Sequence, residues 1–261
     1  MRTIHVIGIG CGDPEHLTLQ AVRVLSALDV VLVVDKGEAT AELVELRHAI
    51  CERHITKPYR LVTVPEQPRD RGASDYPGAV TDWYDARARA FETAILEQTT
   101  EHAVAGILVW GDPALFDSTL RVLDRLAERG RVEFRRDVVP GLSSIAVLAA
   151  RHGVTFTGIG QPVHVTTGRR LAEGMPAEVD HVWVMLDGAG AFAELPDDDL
   201  DIFWGAYVGM PDELLLSGDL QGRKAELVEL RAMARARKGW IMDSYLLRRR
   251  RTGPPADPAV S

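Results

Sequence analysis

The chain has 261 residues, 46% of them hydrophobic, which is enough for one large folded domain or two medium ones. Its formal net charge of −8 would repel a phosphate backbone, so the composition argues against a nucleic-acid-binding function. The sequence has no apolar run of about 18 residues and no signal-peptide pattern, so we expect a cytoplasmic enzyme with no membrane association.

The first half of the chain alternates short apolar runs with amphipathic segments, a pattern typical of a parallel sheet covered by helices. The strands predicted there span residues 3–9, 30–34, 61–64, 104–110 and 132–139. The helices predicted between them span residues 17–28, 40–54, 80–99 and 118–129. The stretch 65–78 is rich in residues that break helices and strands, and it is predicted to be a surface loop.

The second half has a different pattern, with fewer helices that could cross between parallel strands. Strands are predicted at residues 163–167, 181–186, 202–207 and 241–246, with a charged helix at 224–237. This pattern indicates a mixed sheet. We therefore predict an α/β protein with one domain at 1–139, a second at 140–251, and a disordered proline-rich tail at 252–261.

A glycine-rich segment, GIGCGDP at residues 8–14, follows the first predicted strand. It superficially fits a dinucleotide-binding turn. The third glycine of GxGxxG would fall at Asp13, however, and Pro14 would stand where a helix amide should meet pyrophosphate. The alternative is a tight turn that uses glycine only for its backbone freedom.

Two further loops carry similar chemistry. Gly111-Asp112-Pro113 follows the buried strand predicted at 104–110, and the segment PGLSS follows the strand predicted at 132–139. In a parallel sheet these loops lie at the carboxyl edge, where ligands bind and glycine lets the backbone approach them closely. Helix capping is the alternative role for the two serines of the second loop.

Taken together, these motifs resemble those of the tetrapyrrole (corrin and porphyrin) methylases. The matching motifs are GxGxGDPxxLTxxA at 8–21, GDP at 111–113, PGxSS at 140–144 and SGDL at 217–220. The resemblance implies two αβα domains, the first with a parallel and the second with a mixed sheet, and S-adenosylmethionine held folded in the cleft between them. Cys11 departs from the family pattern, which usually has proline at this position.

The resemblance also implies which residues contact the cofactor S-adenosyl-L-methionine and its product S-adenosyl-L-homocysteine. These are Gly10, Cys11, Gly111, Asp112, Leu115, Ser143, Ser144, Leu186, Ala206, Tyr207 and Val208. The alternative for the apolar strand residues among them is ordinary core packing. No metal is expected, because neither Cys11 nor Cys51 has a metal-ligand spacing beside it.

Within the family, longer strings resemble one kind of C-methylase. They are VDKGE at 34–38, TTGRRL at 166–171, and WGAY at 204–207 with GWIMDSYLLR at 239–248. They imply methylation of precorrin-5 at ring carbon C-1, with loss of its acetyl group as acetate, to give precorrin-6A. The expected partner is therefore a small tetrapyrrole, and the family relation also suggests a homodimer.

The chemistry needs few catalytic groups, because the sulfonium already activates the methyl group and the protein mainly positions the ring carbon and excludes water. Asp35, Asp112, Asp187 and Asp243 stand at predicted strand ends, where each could be a base or a cap. Of these, Asp35 beside Lys36 is the preferred catalytic pair, and Asp112 is more typical of a structural residue.

A polycarboxylate macrocycle also requires cations, because guanidinium groups bind carboxylates through two parallel hydrogen bonds. Arg169 and Arg170 are predicted to bind it. The arginine run 248–251 could do the same, although a solvated surface is the more common role of such a run. Three alternatives remain: a methylase of the same fold with another substrate, a non-methylating nucleotide enzyme, and a regulatory binding module without turnover.

Overall fold

A computed structural model describes residues 1–35, 41–68, 74–196 and 199–250. Lys36, Arg251 and the predicted tail 252–261 lie outside these residues. The chain forms two compact units, Met1–Ser143 and Ser144–Ser261. They part four residues after the predicted boundary, since the loop that follows residue 139 is still bound to the first unit: Gly141 N donates to Asp112 Oδ2 at 2.9 Å.

The first unit is a parallel sheet with helices on both faces. Its strands are β1 (Arg2–Gly8), β2 (Val30–Asp35), β3 (Arg60–Pro65), β4 (Val104–Val109) and β5 (Phe134–Val139). Its α-helices are α1 (Leu19–Leu25), α2 (Ala41–His54), α3 (Tyr76–Gln98) and α4 (Thr119–Arg129). The strand order is β3-β2-β4-β1-β5, and every neighbouring pair is parallel, which confirms the predicted parallel sheet.

The helices cover the two faces in pairs. Leu25 of α1 and Cys51 of α2 belong to one core cluster, and Phe91 of α3 and Val122 of α4 belong to the other. The chain leaves the neighbouring strands β2 and β4 in opposite directions. From β2 it connects to β3 at one edge of the sheet, and from β4 it connects to β5 at the other edge. Such a reversal of direction opens a ligand crevice at the carboxyl ends of the strands.

Two helix starts differ from the predictions because side chains cap them. Thr18 accepts a hydrogen bond from Ala21 N at 3.0 Å, so α1 begins after it, and a short 3-10 helix at Pro14–His16 precedes it. Asp75 accepts from Gly78 N at 3.1 Å and starts α3 four residues before the predicted position. The predicted loop at 65–78 is therefore wrong at its carboxyl-terminal end.

The second unit is a mixed sheet, as predicted. Its strands are β6 (Val163–Thr167), β7 (His181–Met185), β8 (Leu200–Ala206), β9 (Leu214–Asp219) and β10 (Asp243–Arg249). Its α-helices are α5 (Ser144–His152), α6 (Gly168–Leu171) and α7 (Leu220–Lys238). The order is β6-β7-β10-β8-β9, in which only β6 and β7 are parallel neighbours among the described residues.

The sequence did not indicate β9, an edge strand in which Leu216 is buried but Leu215 is exposed. It also placed the start of α7 too late, because Asp219 accepts from Gly222 N at 2.7 Å and caps the helix there. In neither unit does a described helix have the length and apolar character needed to cross a membrane.

Candidate functional site

The loops after β1 and β4 are bound to each other at the carboxyl edge of the first sheet. Gly111 N donates to Gly10 O at 2.8 Å, and Gly10 N donates to Gly111 O at 3.4 Å. Both glycines are left-handed, with φ of 73° at Gly10 and 68° at Gly111. A side chain at either position would be strained, which is why two glycine motifs occur here.

The loop after β5 approaches the same point even more closely. A Cβ on Gly141 would lie 2.2 Å from Gly111 O, and a Cβ on Gly8 would lie 2.6 Å from Gly141 N. Only glycine permits these backbone contacts. Three loops from three neighbouring strands thus form one backbone cluster, which we call the glycine cluster: Gly8, Gly10, Gly111 and Gly141.

Asp112 holds this cluster together. Its Oδ2 accepts from Gly141 N at 2.9 Å and its Oδ1 accepts from Ala114 N at 2.8 Å. A carboxylate that accepts two backbone hydrogen bonds positions loops well. The geometry therefore gives the Asp112 side chain a structural function, and leaves its backbone as the part that could contact a ligand.

Cys11 is buried between two of these loops. Its Sγ donates to Leu142 O at 3.3 Å, and burial raises the pKa of the thiol to about 12. Because the thiolate is the nucleophilic form, Cys11 is a packing and hydrogen-bonding residue at neutral pH.

Leu115 and Ser143 are both half-buried near the cluster. Leu115 N donates to Asp112 O at 3.2 Å, and the Cα of Ser143 lies 3.8 Å from the position of a Cβ on Gly111. Sequence reasoning missed the neighbouring Phe116, which is 44% exposed and left-handed, with φ of 54°. Strained residues of this kind are concentrated at ligand sites, but no sequence pattern marks a left-handed phenylalanine.

In the second unit, four predicted residues lie where β7 and β8 end. Leu186 is 65% exposed, whereas Ala206, Tyr207 and Val208 are buried. Leu186 and Tyr207 are both left-handed, with φ of 53° and 52°. Two strained non-glycine residues at one sheet edge are unusual, and the predicted contact residues include both.

The side chain of Tyr207 has a structural role. Its hydroxyl lies 2.7 Å from the carbonyl oxygen of Trp240 and 3.0 Å from that of Ala234, and burial raises its pKa. Any contact of Tyr207 with a ligand therefore involves its backbone. Ser144, at the start of α5, lies within hydrogen-bond distance of Ser244, with 3.1 Å between the hydroxyl oxygens.

The other two aspartates considered as bases are part of a buried network. Tyr245 donates to Asp187 Oδ2 at 2.6 Å, and Asp243 Oδ2 accepts from Arg231 Nε at 2.9 Å and from Trp204 Nε1 at 3.0 Å. Arg231 also donates to the carbonyl oxygen of Asp187. Burial raises the pKa of Asp243 while Arg231 opposes that rise. We call Asp187, Trp204, Arg231, Asp243 and Tyr245 the buried network.

Arg169 and Arg170 lie in α6, directly after β6. Arg170 is exposed, forms an ion pair with Glu173 at 2.9 Å, and lines a cavity of about 470 Å³. Arg169 is exposed on the same turn. The preceding Gly168 is required by crowding, because a Cβ there would lie 2.1 Å from Asp187 Oδ1.

The remaining candidates are the pair Asp35 and Lys36 and the arginine run 248–251. Asp35 is the last residue of β2, so its backbone lies at the carboxyl edge of the first sheet, and Lys36 is outside the described residues. In the arginine run, Arg248 lies 3.0 Å from Asp201 and stacks on Phe203, and Arg250 lies 2.7 Å from Asp219. These two arginines therefore contribute to packing within the second unit. No cluster of metal-ligating side chains occurs in the described parts of the chain.

Comparison with known proteins identifies the family to which these motifs belong. The family model of the Tetrapyrrole (Corrin/Porphyrin) Methylases matches residues 3–222. The precorrin-6A synthase [deacetylating] of Sinorhizobium sp is 43% identical over 250 residues, which cover 95% of this chain and 96% of that protein. The precorrin-2 C(20)-methyltransferase of Sinorhizobium sp is 29% identical and covers 64% of this chain and 68% of that protein.

Solved structures share the fold. A protein described as related to cobalamin synthesis, CobF of Corynebacterium diphtheriae, has a TM-score of 0.82 at 36% identity, covering 95% of this chain and 99% of its own. The uroporphyrin-III C-methyltransferase of Thermus thermophilus, solved with S-adenosyl homocysteine, has a TM-score of 0.59 at 21% identity, covering 94% and 91%.

Proposed function

Because this chain belongs to the tetrapyrrole (corrin/porphyrin) methylases, we propose that it is a precorrin-6A synthase of the deacetylating type. It transfers a methyl group from S-adenosylmethionine to C-1 of precorrin-5 and releases the acetyl group as acetate. The observation that carries this proposal is the nearly full-length similarity to the Sinorhizobium precorrin-6A synthase. The relative that methylates precorrin-2 matches a smaller part of the chain at lower identity.

The glycine cluster is suited to S-adenosylmethionine, which family members use. A Cβ on Gly111 would meet no atom closer than 3.8 Å, so its missing side chain leaves open space beside a left-handed backbone. Backbone N–H and C=O groups can approach an amino-acid or nucleoside moiety there. In the first unit we assign this contact to Gly10, Cys11, Gly111, Asp112, Leu115 and Ser143.

In the second unit we assign cofactor contacts to Ser144, Leu186, Ala206, Tyr207 and Val208. The left-handed backbone at Leu186 and Tyr207 supports this assignment, because such strain persists where the surrounding structure requires it. Leu186 contributes an exposed apolar side chain, and Tyr207 contributes backbone groups. Ser144 is held in place through Ser244.

Bound S-adenosylmethionine supplies a methyl group already activated by its sulfonium. The protein's residues hold the ring carbon in line with that methyl group and exclude water from it. Release of acetate consumes one water: the water oxygen bonds to the acetyl carbon, the bond from that carbon to the ring breaks, and its electron pair stays on the ring, which uses it to bond the incoming methyl group. We propose that Asp35 takes the proton lost by the water and that Lys36 stabilises the negative charge that develops on the acetyl oxygen.

Arg169 and Arg170 are proposed to bind carboxylates of the tetrapyrrole. Both are exposed, and Arg170 would exchange Glu173 for a substrate carboxylate. The change Arg169→Ala should raise the KM for precorrin-5. Unchanged substrate affinity would remove Arg169 from the site.

We further propose a homodimer in the cytoplasm, with no nucleic-acid or membrane partner and no metal. The net charge of −8 supports the first of these exclusions. Sedimentation equilibrium tests the dimer directly, because a monomer and a dimer of a 28.7 kDa chain are easily separated by mass.

Calorimetric titration with S-adenosylhomocysteine, run beside NADH, tests the cofactor assignment. We expect S-adenosylhomocysteine to bind in the micromolar range and NADH to show no heat of binding. Binding of NADH alone would instead support a dinucleotide enzyme. Binding of S-adenosylhomocysteine with no turnover on any precorrin would support a regulatory protein.

A further inference from the structure

The strands β2 and β4 separate before they reach the carboxyl edge of the first sheet. Their ladder ends where Leu32 pairs with Ile107, whereas β2 continues beside β3 to Asp35. On its other side β4 continues beside β1 as far as Val109. We call the separated part, residues 33–35 of β2 and 108–109 of β4, the β2–β4 fork. It lies where the connections of the two strands diverge, which is where α/β sheets bind ligands.

The side chain of Arg47 reaches this fork. The carbonyl oxygen of Val109 faces β1, because it accepts a hydrogen bond from Ile9 N at 3.0 Å. Successive carbonyl groups of a strand point to opposite sides, so the carbonyl oxygen of Leu108 faces β2. Leu108 O accepts from Arg47 Nε of α2 at 3.2 Å, and Arg47 Nη1 donates to Leu43 O at 2.6 Å. The Nη2 amino group takes part in neither bond.

The side chains that the structure describes compensate the charge of this guanidinium poorly. Both hydrogen-bond acceptors are neutral carbonyl groups, and no carboxylate described with its side chain lies within 4.0 Å of the Arg47 nitrogens. Burial lowers the pKa of Arg47, and the more distant Asp117 only opposes that effect. Asp117 itself accepts from Thr119 N at 2.6 Å at the start of α4.

We propose that Arg47 binds a carboxylate of the tetrapyrrole substrate at the β2–β4 fork. This inference rests on the proposed function, which supplies a polycarboxylate ligand. It adds a third carboxylate-binding arginine to Arg169 and Arg170. This arginine belongs to the first unit and lies beside the carboxyl end of the strand that carries Asp35. A guanidinium in a poorly solvated position binds a carboxylate more strongly than an exposed one does, because less water competes for it.

A purely structural role would not require this residue. Any neutral donor could satisfy Leu108 O, and it would avoid the cost of burying a charge. The choice of arginine at a half-buried ligand edge, with no carboxylate partner among the described side chains, is explained by a carboxylate that arrives with the ligand.

The test compares Arg47→Gln, which keeps a hydrogen-bond donor but loses the charge, with Arg47→Lys, which keeps the charge. Steady-state kinetics on precorrin-5 give kcat and KM, and calorimetry gives the affinity for S-adenosylhomocysteine. Arg125→Gln is the matched control, because Arg125 is a half-buried α4 residue paired with Glu128 and Asp85. We expect Arg47→Gln to raise KM about 10-fold to 100-fold. Arg47→Lys should recover much of this loss, and the control should match the wild type.

Each other outcome has a distinct meaning. If the wild type does not convert precorrin-5, the proposed function fails and this inference fails with it. If the wild type is active and Arg47→Gln keeps its KM, only the inference is overturned. A loss of S-adenosylhomocysteine affinity with an unchanged KM would place the guanidinium on the cofactor. Equal losses in both variants, together with a lower thermal midpoint, would show a structural role and also overturn the proposal.

Discussion

The carboxyl edge of the first sheet is built mainly from glycine backbone held together by the carboxylate of Asp112, whereas the corresponding edge of the second sheet is built around buried charged side chains. In the first unit, Gly10 and Gly111 bond to each other while Gly8 and Gly141 pack without side chains. In the second unit, the buried network fixes the ends of β7, β8 and β10. Both edges contain left-handed residues: the loop contacts of the first edge use Gly10 and Gly111, with Phe116 nearby, whereas the second edge uses Leu186 and Tyr207.

The two edges differ in how much backbone strain they must hold. Glycine adopts a left-handed backbone without steric cost, so Gly10 and Gly111 need little support. Leu186 and Tyr207 are strained by about 1–2 kcal/mol each, which the surrounding structure must offset. We infer that the buried network holds the second edge in this conformation.

The largest effect is expected from Arg231→Met, which leaves Asp243 buried without its cation. Breaking such a pair costs about 3–5 kcal/mol of unfolding free energy. Urea denaturation at pH 7 measures it, with Arg223→Met as the control, because Arg223 forms an exposed pair with Glu226.

A pH series sharpens this experiment. Without Arg231, the pKa of Asp243 rises further above its unfolded value of 3.8, so the folded state prefers the protonated acid. The variant should therefore lose stability as pH rises from about 4 toward the raised pKa. A loss that does not depend on pH would contradict the role assigned to the charge of Asp243.

The next largest effect is expected from Gly141→Ala in the glycine cluster. The new Cβ would overlap the carbonyl oxygen of Gly111 and the backbone of Gly8, so the loops must separate at a cost of about 3 kcal/mol. S-adenosylhomocysteine affinity should fall about 100-fold, as measured by calorimetry. Gly130→Ala is the control: it places a Cβ in open space at φ of 67°, so it should cost only about 1 kcal/mol and leave binding unchanged.

A smaller effect of opposite sign is expected from Leu186→Gly. Relief of the left-handed strain should stabilise the second unit by about 1 kcal/mol, because Leu186 is 65% exposed and loses little packing. Affinity for S-adenosylhomocysteine should fall several-fold if the leucine side chain contacts it. Leu142→Gly, at an exposed leucine without a left-handed backbone, should not stabilise the protein. Destabilisation by Leu186→Gly would contradict the strain argument.

The smallest effect concerns the thiols. Burial raises the pKa of both Cys11 and Cys51 to about 12, above the unfolded value of 9.0. Their contribution to stability is therefore constant below about pH 9 and is lost as pH rises toward 12. At pH 8 a thiol reagent should modify neither cysteine in the folded protein and both in urea. Rapid modification of folded Cys11 would contradict its assignment as a packing residue.

The loops of the first edge could be predicted from the sequence, because a glycine motif at a strand end indicates a tight turn or a close backbone contact. The motifs at 8–14 and 111–113 indicated loops at the carboxyl edge, and the structure brings those loops together. The parallel and mixed sheets also followed from the apolar pattern, because buried strands and crossover helices have different periods.

Sequence reasoning failed where long-range contacts decide the structure. The single aspartates Asp187 and Asp243 looked like possible bases, and only their partners Tyr245 and Arg231 show that they are enclosed. The short edge strand β9 was missed because one buried residue in its apolar run is too little signal. Arg47 escaped notice because it is one polar residue in an amphipathic helix whose position depends on the separation of β2 and β4.

The central claim is that the chain methylates precorrin-5 at C-1 and releases acetate. It is tested most directly by incubating the protein with precorrin-5 and S-adenosylmethionine labelled with ¹³C in its methyl group. We predict one S-adenosylhomocysteine and one acetate per precorrin-5 consumed, with the label at C-1. Transfer of the label to another ring carbon, transfer without acetate release, or no transfer by a protein that binds S-adenosylhomocysteine would contradict the claim.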